Sequence, residues 1–164
     1  MYQHCATLKN RVTVGISDMK LSSDPGDMLI THSLGSCLGL TAWDPKAGVG
    51  ALIHCLLPKA SRPDVGNPFM YVNVGVPLMI RQMVAMGCTK SSLVFRAAGC
   101  GRMMHILNQY DTGAQNLAML EALFAKNCVT LAAVDVGGSI PRTMALHMDS
   151  GTVTISSQGK EWEI

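Results

Sequence analysis

Two side chains that together could break an amide stand near each other in this chain: Cys37 and, seventeen residues later, His54. A thiol beside an imidazole is a nucleophile supplied with its own base and acid. The ring draws the proton off sulfur and later delivers it to a leaving group. Cys37 follows Gly35-Ser36 at a break in an apolar run. A tight glycine-containing turn there would expose the sulfur and free the backbone N–H groups around Gly35, Ser36 and Cys37 to hold an oxyanion. Thr31, six residues before Cys37, carries a hydroxyl that could orient the second ring nitrogen of His54, as the third member of a triad does. A plain core reading also fits these residues. Cys37 could be a small buried side chain, His54 a satisfied core histidine between Ile53 and Cys55, and Thr31 an ordinary strand residue.

Other chemistries find less support. The remaining histidines, His4, His32, His105 and His147, form no HxxxH or HExxH pattern, and the six cysteines form no CxxC pair, so no metal site is expected. Gly99-Cys100-Gly101-Arg102 lacks the spacing of a phosphate loop and reads as a tight turn, and no organic cofactor is expected. A formal net charge of +2, no Lys/Arg run, and only three Phe, three Tyr and two Trp argue against nucleic acid. There is no secretory pattern near Met1 and no apolar run long enough to span a bilayer, so no membrane insertion and a cytoplasmic address are expected, with free thiols rather than disulfides.

The elements that must position Cys37 and His54 are legible in outline. Hydrophobic residues make up 48% of the 164 and charged residues 15%, a balance that suits one folded domain over 1–164. Val12–Ile16 and Met28–His32 read as strands around the turn at Ser22-Ser23-Asp24-Pro25-Gly26-Asp27. Leu38–Trp43 reads as strand or buried helix, and Val49–Leu57 as the strand that answers it across the Asp44-Pro45 turn. Asn67-Pro68 resembles a helix start, with Leu78, Met79, Met83 and Met86 at helical spacing as core fillers and Gly87 as the stop. Pro77 is expected to kink that helix or mark its first turn. Ser92–Ala97 and Val129–Val136 are strand candidates on either side of a helix over Gly113–Lys126, whose apolar face is Leu117, Leu120, Leu123 and Phe124. Thr143–Met148 and Thr152–Ser156 flank a hairpin turn at Asp149-Ser150-Gly151. Lys160–Ile164 is either solvated or the end of a strand. Together these predict a mixed α/β or α+β domain, two main helices packed on largely antiparallel or mixed sheets.

Several linked segments resemble a known family. Leu34-Gly35-Ser36-Cys37, Trp43-Asp44-Pro45 and Gly48-Val49-Gly50-Ala51-Leu52-Ile53-His54-Cys55-Leu56-Leu57-Pro58 look like the signature of the chemoreceptor glutamine deamidases, the CheD family. Tyr71-Val72-Asn73 resembles its Tyr-x-Asp helix start, Ala98-Gly99-Cys100-Gly101 its Ala-Gly-Gly-Ala stretch, and Gly113-Ala114-Gln115-Asn116 its Gly-x-Arg-Asn. Asp135-Val136-Gly137-Gly138 with Arg142, and Ser150-Gly151-Thr152-Val153, resemble its C-terminal pattern. Asn73, Cys100 and Gln115 depart from the family's usual Asp, Gly and Arg. The resemblance implies a protein-glutamine deamidase that converts glutamines on the cytoplasmic domain of chemotaxis receptors to glutamate. Its Thr, Cys and His would be Thr31, Cys37 and His54, with a thioester on Cys37 and no cofactor. It also implies a possible CheC-type phosphatase partner. Two readings compete: a receptor methylesterase using the same thioester route, and a non-catalytic regulator that acts by docking to the phosphatase. An unrelated thiol hydrolase of small amides is a third.

Overall fold

The computed structural model describes residues 9–62, 64–102 and 111–164, so His4, Cys5 and His105 lie outside the described residues. Among the described residues, ten strands form two five-stranded sheets, and two α-helices pack on one of them. The first sheet takes β1 (Asn10–Thr13), β3 (Asp27–Leu34), β8 (Arg142–His147), β9 (Val153–Ser157) and β10 (Lys160–Glu163), in that spatial order. The second runs β2 (Asp18–Ser22), β5 (Val49–Cys55), β4 (Leu38–Asp44), β6 (Val94–Gly99) and β7 (Leu131–Val136). The helices are α1 (Val72–Ala85) and α2 (Thr112–Lys126). Pairing is antiparallel except between β1 and β3 and between β6 and β7, which makes both sheets mixed. This is the α/β architecture the sequence predicts.

The second sheet is the middle of three layers. Alternate residues of β5 face opposite ways: Ala51, Ile53 and Cys55 join the core under the helices, whereas Leu52 joins the core between the sheets. With both faces covered, all seven residues of β5 are buried. Such a strand reads as a continuous apolar run. That is why the sequence of Leu38–Trp43 fits strand or buried helix equally well. Under the helices, Val72, Val76, Met79 and Met83 of α1 and Leu120 and Phe124 of α2 pack on Leu38, Leu40 and Phe95. Phe95 and Phe124 meet edge to face at 4.9 Å between ring centroids. Between the sheets, Leu29, Leu34, Met144, Leu146 and Ile155 pack on Leu52, Ala98 and Cys37.

Glycine sets how closely the two sheets approach. A Cβ on Gly39 would stand 2.7 Å from Leu34 Cδ1, and one on Gly50 2.6 Å from Met148 Sδ. Both contacts are shorter than packed carbon and sulfur allow, so a larger residue would force the Leu34 or Met148 side chain to move.

Four elements differ from the sequence reading. The first strand is Asn10–Thr13 rather than Val12–Ile16. Strand β2, with its alternating Asp18-Met19-Lys20-Leu21, is an edge strand too short and too charged to stand out from the neighbouring turns. Asn67-Pro68 caps a one-turn 3₁₀ helix, with the Asn67 side chain accepting from Phe69 N–H, and α1 starts afresh after Tyr71 with Pro77 inside it. Met86 is 44% exposed at the end of α1 and fills no core, unlike Met79 and Met83. The tail, by contrast, finishes as β10, paired to β9.

Asn73 lies in the first turn of α1, and its Oδ1 accepts from the Ala60 N–H at 3.0 Å. An aspartate there keeps that bond and adds negative charge at the positive end of the helix. Asn73→Asp should therefore stabilise the protein by about 0.5 kcal/mol at low salt, read as a raised urea midpoint that shrinks as salt is added.

Candidate active site

Thr31 and His54 come from two strands and Cys37 from the turn just ahead of a third. His54 and Gly39 are cross-strand partners on β5 and β4. Cys37 stands two residues before Gly39, just ahead of β4, and its side chain joins the core between the sheets. The Cys37 and His54 side chains therefore both face the first sheet, and the sulfur makes no hydrogen bond to Nε2. Thr31 comes from β3 of that first sheet. Its hydroxyl lies 2.7 Å from His54 Nδ1, a bond that crosses the gap between the sheets. The sequence reading expected that pairing, and it expected His32 to point the other way; Thr31 is fully buried and His32 exposed.

The hydroxyl also fixes the histidine tautomer. Thr31 Oγ1 donates its one hydrogen to the Val14 carbonyl at 2.7 Å. Toward His54 it can only accept, so Nδ1 carries the ring proton and the neutral ring presents its lone pair at Nε2. Nε2 is buried and has no hydrogen-bond partner. A buried acceptor left bare costs about 1–3 kcal/mol, which is the form a base takes while it waits for a proton. The Val14 carbonyl has no side-chain signature, and sequence reasoning missed it for that reason.

Burial holds both reacting groups neutral. It lowers the His54 pKa to about 4. It raises that of the Cys37 thiol, and the residue's own backbone N–H pulls part of the way back. The sequence reading expected the imidazole to draw the thiol toward thiolate. Desolvation penalises both charges, so the pair stands at neutral pH as thiol and imidazole.

The turn before Cys37 is built almost wholly from main chain. A β-bulge between Thr31 and Leu34, with Ser33 at φ 59°, inserts one extra residue in β3, so Thr31 and Leu34 both turn inward. The chain then crosses through Gly35-Ser36-Cys37 to β4. Cys100 N–H donates to the Cys37 carbonyl at 2.8 Å and Gly101 N–H to the Gly35 carbonyl at 2.7 Å. Gly137 N–H and Arg102 N–H tie that second loop to a third one, through the Gly99 and Gly138 carbonyls at 2.8 and 2.7 Å. Buried Arg142 closes the third loop on itself, donating to Asp135 Oδ1 and the Gly137 carbonyl, both at 2.9 Å. The carbonyls of Gly35 and Cys37 are thus engaged, while no backbone carbonyl among the described residues accepts from the Ser36 or Cys37 N–H. Those two N–H groups are among the donors, with that of Gly35, that the sequence reading assigned to an oxyanion.

Gly99 needs its glycine twice over: φ is 92°, and a Cβ would stand 2.3 Å from the Cys37 carbonyl oxygen. Cys100 adopts φ 52°, a conformation glycine takes at no steric cost. The cavity of about 460 Å³ lined by Val76, Ile80, Leu93 and Phe124 lies between the two helices, on the face of the middle sheet opposite Cys37.

The comparisons with known proteins agree with one another. A family model described as CheD chemotactic sensory transduction matches residues 56–157. A probable chemoreceptor glutamine deamidase CheD 2 of Anaeromyxobacter dehalogenans is 40% identical over 89% of this chain and 94% of its own length. Proteins called probable chemoreceptor glutamine deamidase in Solibacter usitatus and Syntrophus aciditrophicus are 34% and 35% identical, over 94% and 90% of this chain and 93% and 94% of theirs.

The His54 environment predicts a pH-dependent stability. Between pH 6.5 and about 4 the unfolded chain binds a proton at this ring and the folded chain does not. The contribution is therefore complete above 6.5, is lost as pH falls toward 4, and amounts to on the order of 3 kcal/mol. Urea unfolding at a series of pH values should show that decline in the native protein and a shallower one in His54→Gln. Thr31→Val, which strands both the Nδ1–H and the Val14 carbonyl, should cost roughly 1–3 kcal/mol at pH 7 in the same assay.

Proposed function

The chain belongs to the CheD family, and on that premise we propose that it deamidates glutamine side chains on the cytoplasmic domain of chemotaxis receptors, with Cys37 as nucleophile and His54 as proton carrier. The observation that carries the reading is the bare, buried Nε2 of His54, whose tautomer is set by Thr31. On the same face of the middle sheet lies the buried Cys37 thiol, beside the Ser36 and Cys37 N–H groups that no backbone carbonyl among the described residues engages.

The steps follow from those groups. Cys37 Sγ attacks the carboxamide carbon as its proton passes to Nε2. Because both groups are held neutral, proton transfer and attack go together, and no free thiolate accumulates first. Negative charge gathers on the amide oxygen and is taken up by the unengaged Ser36 and Cys37 N–H groups. The imidazolium formed is stabilised by the Thr31 oxygen at Nδ1. It then gives its Nε2 proton to the amide nitrogen, the C–N bond breaks, and ammonia leaves a thioester on Cys37. Water next loses a proton to Nε2 and attacks the thioester carbon. The C–S bond breaks, sulfur recovers the proton, and glutamate is released. Every proton taken by His54 is returned within one cycle, so these residues need no co-reactant but water. No helix among the described residues is long and apolar enough to cross a membrane, which fits a protein that meets the receptor's cytoplasmic part.

Purified protein incubated with receptor cytoplasmic fragments should convert particular glutamines to glutamate, seen by mass spectrometry of the receptor peptides. Cys37→Ala should lower that rate by on the order of 10⁴-fold or more. Conversion that survives in Cys37→Ala would sink the thioester route. A native protein that converts no receptor glutamine, yet binds a CheC-type phosphatase equally well with and without the Cys37 thiol, would replace the enzyme with a docking regulator.

A further inference from the structure

We infer that Asn116 is the residue that sets the Cys37 turn against the His54 strand, a positioning role that rests on the thiol–imidazole reading of the site. Asn116 lies on α2 and is fully buried. Its Nδ2 donates to the Ser36 carbonyl at 2.9 Å and to the Leu56 carbonyl at 3.2 Å. Ser36 immediately precedes Cys37, and Leu56 follows His54 by two residues. One amide group therefore spans the two chain segments that carry the reacting side chains, just past the end of their strand pairing, where Leu38 and Cys55 are the last partners.

The amide orientation is fixed by those acceptors, because its oxygen turned toward two carbonyls would repel both. The Ser36 carbonyl held by Asn116 adds to the Gly35 and Cys37 carbonyls already held from the Gly99–Gly101 loop. All three carbonyls of the turn are thereby drawn away, which leaves its N–H groups as the donors. The bond to Ser36 is the only one of the three made by a side chain, so it is the one a substitution can remove.

The position is poorly suited to stability alone. Asn116 Oδ1 is buried with no donor, and among the described residues it shares that state only with His54 Nε2. Asparagine is a weak helix former in a helix interior, and an unmet amide oxygen is a cost an apolar residue would avoid. Neighbours at the same depth on α2, Leu120 and Phe124, bear the packing. Docking of the helix start is separately enforced by Gly113, where a Cβ would stand 2.4 Å from the Gly101 carbonyl. What remains for Asn116 is the distance between the sulfur and the ring.

The test reads that distance without relying on the receptor reaction. Iodoacetamide alkylation of Cys37 is followed by mass spectrometry over a pH series, with exposed Cys128 as the internal reference. Asn116→Ala should slow alkylation at Cys37 by about tenfold near pH 7 and move its pH profile toward that of an unassisted thiol, with Cys128 unchanged. In the receptor assay, the same variant should lower kcat by roughly 10–100-fold with little change in KM, as expected when reacting groups lose alignment. Leu120→Ala removes packing from the same helix and controls for loosening; it should lose stability while keeping the Cys37 alkylation profile. Asn116→Ser, which retains a hydrogen-bond donor, should recover part of the loss. A folded Asn116→Ala with native alkylation at Cys37 overturns the assignment. So does a loss matched by Leu120→Ala, or failure of both Asn116 variants to fold while Leu120→Ala folds. Altered alkylation in a protein that converts no receptor glutamine would leave the positioning role standing and remove only the deamidase reading.

Discussion

The hydrogen bond from His54 Nδ1 to Thr31 Oγ1 is the contact on which the site depends. It joins two sheets, not two neighbours in one sheet, so its length is set by everything that fixes the gap between the layers. Gly39 and Gly50 let Leu34, Met144, Leu146 and Met148 close onto the middle sheet, and the hydroxyl then reaches the ring at 2.7 Å. The Val14 carbonyl completes the relay by taking the only hydrogen Thr31 has to give. Packing thus becomes a choice of tautomer, and the tautomer decides which nitrogen can accept a proton from sulfur.

The same burial that orients the ring taxes it. Desolvation pushes the Cys37 thiol up and His54 down to about 4, so neither is charged at neutral pH. A surface Cys/His pair would ionise more readily but would share its hydrogen bonds with water. Here the Nε2 lone pair is kept buried and bare, and in the proposed mechanism charge is postponed until an oxyanion forms beside the backbone donors. The stability forgone in leaving Nε2 unpartnered is small beside what burying the two cores contributes. The core between the sheets runs unbroken from Val14 through Leu52 to Ile155 around it.

How much of this the sequence disclosed follows the kind of signal each part leaves. Long amphipathic α2 carries its periodicity openly, β3 shows as an apolar run after a turn, and the Asp149-Ser150-Gly151 turn declares its hairpin. Cys37, His54 and Thr31 could be named as candidates because their side-chain types suit the chemistry and their spacing matches a family. The edge strand β2, the break between the Pro68–Met70 turn and α1, and the exposure of Met86 were not legible, since each depends on what lies across from it. Least legible were the main-chain parts of the site. The Val14 carbonyl, the bulge at Ser33 and the ladder from Gly35 through Gly101 to Gly138 are made by atoms that every residue has.

That last feature also explains why this chain tolerates Cys100 where the family pattern has glycine. The residue sits at φ 52° and its contribution to the turn is a backbone N–H aimed at the Cys37 carbonyl. Any residue able to hold that conformation supplies the same donor, at a strain of about 1–2 kcal/mol. Gly99, one position earlier, has no such freedom, because a Cβ would collide with the very carbonyl that Cys100 bonds. Two adjacent glycine positions are therefore under different constraints. One answers to a torsion angle and can drift at a modest cost, whereas the other answers to the volume occupied by the Cys37 backbone and cannot.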